Sequence, residues 1–145
     1  MFNLDDFLPY KLSILSQAIS GLVAETYETK FGLTMNQWRC LVVIQAHQPV
    51  TAKSISAYTL LDKMTISRAV KILEKRKLVK TKPSGQDARS RLLSLTNTGQ
   101  KIYDEVIPIA QDYESQLLET LTSVQKTALE KIIGNLMHGV RDLKK

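Results

Sequence analysis

Residues 61–79, LDKMTISRAVKILEKRKLV, carry the pattern that most limits what this chain can fold into. Ile66, Ala69, Val70 and Leu73 recur at helical spacing, and Asp62 stands where its carboxylate can accept hydrogen bonds from the unpaired amides of a first turn. At about 100° per residue the opposite face carries Met64, Arg68, Lys71 and Lys75, flanked by Thr65 and Ser67. One side of this helix can pack while the other offers cations and hydroxyls. Residues 78–82 then read as a short strand, Pro83, Ser84 and Gly85 as a turn, and residues 91–95 as a returning strand. The order is that of a winged helix, whose second helix is sized for the DNA major groove, about 12 Å wide. A surface helix with a solvated charge run is the plainer alternative, and the basic hairpin that follows favours DNA.

The charge distribution supports this. The 145 residues hold 20 Lys and Arg against 14 Asp and Glu, a net charge of +6. Eleven cations and three carboxylates fall in residues 53–91, a balance of +8, so the remaining nine cations and eleven carboxylates come to −2. A positive field confined to one lobe suits a polyanion.

Around this lobe the chain reads as helices. Asp5, Asp6 and Pro9 mark the start of a first one, with Leu12, Leu15, Ile19, Leu22 and Val23 as its apolar stripe and Gly32 at its end. Thr34-x-x-Gln37 has the form of a capping box and opens a second helix bearing Trp38, Leu41, Val42 and Ile44. Thr51 caps a short third helix with Ile55 and Leu60 to bury. Thr96 caps a fifth, which Pro108 should kink rather than break. Thr122-x-x-Gln125 opens a sixth with Leu129, Ile132, Ile133, Leu136, Met137 and Val140 on one side. The expected fold is mainly α with a small β-wing, one domain over 1–145. Its winged helix-turn-helix lobe spans 34–98, and residues 1–33 and 99–145 form a helical lobe with more apolar surface than the rest can cover. A second copy of the chain would cover it, although an intramolecular cap is the alternative.

Several functions lack the necessary residues. No run approaches the roughly 18 to 20 apolar residues needed to cross a bilayer, and the acidic N-terminus lacks the basic flank of a signal peptide, so a cytoplasmic protein is expected. A lone cysteine, Cys40, sits among Trp38, Leu41 and Val42 and reads as a buried, inert thiol. His47 and His138 are far apart and no ligand cluster accompanies them, so neither a metal nor another cofactor is expected. Asp104, Glu105, Asp112 and Glu114 read as a solvated helix face, and no segment suggests a nucleophile and base. The chain is expected not to be an enzyme.

DARSRLLSLTNTG, residues 87–99, resembles the wing signature of the MarR family of bacterial transcription regulators, which runs Asp-x-Arg, a short strand, Leu-Thr and a nearby Gly. LDKMTISRAVKILEKRKLV is similar to that family's recognition helix, and FGLTMNQWRCLVVI to the segment before its helix-turn-helix. The resemblance implies a homodimer held by the terminal helices, binding double-stranded DNA at a palindromic operator and often released by a small molecule or an oxidant. Carried over by position, Asp87 would pair with Arg89 to shape the wing, and Arg89 would enter the minor groove. Thr65, Ser67, Arg68 and Lys71 would face the major groove, with Lys82, Ser84 and Arg91 on the hairpin beside them. Arg68 could fork onto a guanine, whereas Lys71 and Lys75 suit phosphates. Met64 would either touch a thymine methyl or fill the joint between the helices.

FLPYKLSILSQAIS, residues 7–20, also resembles a branch that includes regulators of aromatic-acid breakdown, some sensing aromatic acids or their coenzyme A thioesters. The effector would then be a small aromatic or other organic acid. The family places such a pocket between the first, second and fifth helices, where Tyr10, Ser13, Gln17, Trp38 and Arg39 would line it and Arg39 would anchor a carboxylate. Three readings follow: a repressor released by a small ligand, a DNA-binding regulator without one, or a winged-helix module for an acidic protein.

Overall fold

The computed structural model describes residues 1–85 and 90–145 as two compact units, Met1–Ile109 and Ala110–Lys145. In the first unit, a 3-10 turn at Leu4–Asp6 precedes α1, Leu8–Phe31, which has Pro9 in its first turn. Gly32 ends α1 in the left-handed region at φ 63°, and its N–H bonds back to the Glu28 carbonyl at 2.9 Å. A side chain is disfavoured in that conformation, which is why glycine suits the position. Ala24 and Tyr27 of α1 are buried, but Leu12, Leu15, Ile19 and Leu22 remain 38–54 % exposed.

The capping box expected at α2, Met35–His47, is present: Gln37 N–H reaches Thr34 Oγ1 at 3.2 Å and Gln37 Oε1 accepts from Thr34 N–H at 3.1 Å. Cys40, Leu41 and Ile44 carry its buried face. Thr51 caps α3, Ala52–Thr59, through Ser54 N–H. Leu60 does not bury as expected. It closes α3 in the left-handed conformation, φ 58°, with its side chain 80 % exposed, and Leu61 packs against the core instead. The helix, and with it the period that would place Leu60 inside, stops at Thr59.

After α4, Lys63–Lys75, come β1, Val79–Pro83, and β2, Arg91–Leu95, an antiparallel pair in which Val79 faces Leu95 and Thr81 faces Leu93. The first strand begins one residue later than expected because Lys77, at φ 58°, turns the chain and lets Leu78 N–H bond back to the Leu73 carbonyl at 2.9 Å. Val50 extends the sheet by exchanging both backbone hydrogen bonds with Leu93, at 3.0 and 2.7 Å. The core of this unit gathers Tyr27 and Leu33, Cys40, Leu41 and Ile44 of α2, Ile55 of α3, Ile66 and Leu73 of α4, Leu93 of the wing and Val106 of the next helix.

That helix, α5, spans Asn97–Leu118 and runs through Pro108 without a break. Thr96 caps it, accepting from Gly99 N–H at 3.1 Å while donating its hydroxyl to the Lys77 carbonyl at 2.7 Å. In the second unit, α6, Ser123–Leu143, starts with the Thr122 and Gln125 capping box. Ile132, Ile133, Leu136, Met137 and Val140 on α6 are all exposed in this single chain. Among the described residues no helix is long and apolar enough to cross a membrane.

Candidate nucleic-acid interface

The site is built outward from the α4 cap. Asp62 Oδ1 accepts from Thr65 N–H at 2.8 Å and Oδ2 from the Thr65 hydroxyl at 2.7 Å. These bonds, led by the backbone amide, hold the Asp62 carboxyl below the usual aspartate range. They also commit the Thr65 hydroxyl proton, so that side chain can only accept from a partner.

With Ile66, Ala69, Val70 and Leu73 buried as the periodicity requires, Met64, Arg68, Lys71 and Lys75 stand exposed on the outer side, while Ser67 and Thr65 are half-buried at its flanks. Among the described residues, Lys53, Lys63, Arg68, Lys71, Lys75, Lys80 and Lys82 form no ion pair, so their charge projects outward. A groove of about 440 Å³ separates α4 from the wing, lined by Lys53, Lys63, Ser67, Lys71, Thr81 and Arg91. The Arg91 guanidinium is braced across the strands by Thr81 Oγ1. At the wing's outer end Ser84 N–H bonds to the Ser90 carbonyl at 3.0 Å. The assignments of Asp87 and Arg89 lie outside the described residues.

Arg76 is engaged within the fold. Arg76 donates through Nη2 to the Phe31 carbonyl and through Nη1 to the Gly32 carbonyl, the latter at 3.2 Å, so it caps the negative end of α1. No local signal announces this, because the partners lie more than forty residues away.

Of the five residues expected around a ligand, Trp38 and Arg39 share a depression. Trp38 is stacked against Tyr27, centroids 5.3 Å apart, and against Tyr103 at 6.3 Å. With Arg39 it lines a shallow depression that also includes Val43 and Tyr58, beside the His47–Tyr58 stack. Tyr10 lies in a separate depression with Lys11 and Ile14, whereas Ser13 and Gln17 are exposed on α1 and line neither. Cys40 is fully buried, and burial pushes its thiol up to about 11. Among the described residues no cluster of metal-ligating side chains occurs.

Residues 31–90, from the end of α1 into the wing, match the family model described as MarR family. The HTH-type transcriptional regulator YwoH of Bacillus subtilis is 30% identical over 102 residues, covering 70% of this chain and 74% of that protein. The chain belongs to the MarR family. As a member of the MarR family it is a DNA-binding transcriptional regulator and not an enzyme. The crystal structure of a MarR/EmrR family transcriptional regulator from Acinetobacter sp. ADP1 superposes with a TM-score of 0.85 at 28% identity, covering 97% of this chain and 99% of that one. MepR of S. aureus, in its DNA complex, shares the MarR fold at TM-score 0.82 and 21% identity, over 92% of this chain and 98% of that one.

Proposed function

We propose that the chain acts in the cytoplasm as a homodimer that binds a palindromic operator and represses transcription until a small organic ligand releases it. The observation that carries this is the outward row of α4: one exposed helix face rich in cations that form no ion pair among the described residues, beside a braced basic wing. In this reading Arg68 reads a base, and Thr65 and Ser67 accept or donate at the flanks. Lys71, Lys75, Lys82, Ser84 and Arg91 meet phosphates, with Arg89 at the wing tip. MepR, crystallised on DNA, lends the geometry support.

Residues 34–98 form the DNA-binding lobe, and residues 1–33 and 99–145 the dimerisation lobe. The exposed apolar stripes of α1 and α6 support the pairing. A two-fold dimer would set two α4 helices about 34 Å apart on successive major grooves. For the effector, the Trp38–Arg39 depression favours an organic acid, its ring against aromatic surface and its carboxylate on Arg39.

Selection of bound duplexes from a random pool, followed by titration with salt, tests the reading. Neutralising about 6 to 10 phosphates per dimer implies a loss of roughly 10³ to 10⁵ in affinity between 50 and 200 mM salt. A flat response would instead favour a protein-interaction module. Metabolites screened against the recovered duplex then separate ligand release from regulation without an effector.

A further inference from the structure

Two large apolar side chains are exposed on the outward side of α4, Met64 at 62 % and Ile72 at 43 %, and of the two Met64 stands in the first turn. Its exposure removes the alternative in which it fills the joint between α3 and α4. It occupies the second position of α4, directly opposite the buried face and one turn before Arg68. Its neighbour Thr65 has its hydroxyl proton committed to Asp62, and Lys63 turns toward the groove shared with Lys53. The first turn of this helix therefore offers a thioether, not a hydrogen-bonding group, at the centre of its outer face.

Residues at the N-terminal end of a recognition helix are those that reach base edges. An apolar tip there can distinguish base pairs in one way, by contact with the C5-methyl of thymine in the major groove. We infer that Met64 is a specificity-determining residue that reads a thymine methyl, in company with a base pair read by Arg68. This rests on the operator-binding reading above. One helical turn rises about 5.4 Å and one base step about 3.4 Å, so the thymine should lie one or two base steps from the pair that Arg68 reads.

The test uses the full-length protein and the duplex recovered from the random pool, with each thymine replaced singly by deoxyuridine. Wild type should lose roughly fourfold in affinity at one symmetry-related thymine position, the worth of one buried methyl, and little elsewhere. Met64→Ala should lose the sensitivity at that position and keep the rest of the profile, while Met64→Leu should retain it. Circular dichroism of each variant checks that the helices persist. A uracil profile that is flat in wild type, or unchanged in Met64→Ala, overturns the inference alone. A pool that enriches no duplex overturns the operator reading and the inference with it.

Discussion

The backbone of Gly99 lies so close to Leu78 that a β-carbon at residue 99 would sit 2.1 Å from the Leu78 carbonyl oxygen. The same carbonyl accepts from Thr96 N–H at 3.0 Å, and the Thr96 hydroxyl holds the Lys77 carbonyl, so the start of α5 is pressed onto the exit of α4. Because the obstructing atom is backbone, no side chain can give way. Gly99→Ala should destabilise the fold by about 1 to 3 kcal/mol, seen as a lower urea midpoint at unchanged slope.

Leu60 and Lys77 both adopt left-handed backbone at φ 58°, where a β-carbon costs roughly 1 kcal/mol. Neither side chain is buried, so little packing is lost on removal. Leu60→Gly and Lys77→Gly should each raise stability by up to about 1 kcal/mol, measurable by thermal unfolding.

Arg76 caps the carbonyl end of α1, so its loss should be felt in folding. Arg76→Ala should cost about 1 kcal/mol of stability. If its charge is spent there, the slope of log affinity against log salt for the selected duplex should stay as in wild type. A slope reduced by about one would return Arg76 to the phosphate contacts.

Much of this was legible in the sequence because it is local. The four buried residues of α4, the caps at Thr34, Asp62, Thr96 and Thr122, and the two wing strands all follow from spacing and side-chain chemistry within a few residues. Leu60 misled because its apolar character continued a period that the backbone had already left. The commitment of the Thr65 hydroxyl depends on rotamers, which spacing does not encode. Arg76 on Phe31 and Gly99 on Leu78 are long-range contacts. The glycine was visible only as part of a family signature, and its physical reason appears once the Leu78 carbonyl is in place. The ligand residues rest on resemblance; Trp38 and Arg39 line one depression and Tyr10 another.

Asp62 carries a pH prediction. Its carboxyl is held below the ordinary aspartate value by the Thr65 amide and hydroxyl, so the unfolded chain binds the proton more readily. The stabilisation is full above the unfolded value of about 3.9 and is lost as pH falls through the lower folded one. Asp62→Asn, which keeps a capping oxygen, should flatten stability over that acid range, as urea unfolding at a series of pH values would record.

Cys40 should resist modification. With no exposed surface and its thiol pushed up to about 11, it holds almost no reachable thiolate near neutral pH. Alkylation of the native protein at pH 8 should be slow and become rapid in denaturant, as followed by mass spectrometry. Fast labelling of the folded chain would contradict its packing.

Trp38 is the only tryptophan in the chain, and it stands between Tyr27 of α1 and Tyr103 of α5. Its fluorescence is thus a built-in gauge of the spacing among three helices. Any molecule that slides in beside the indole, or any shift that separates the rings, changes the emission without a label being attached.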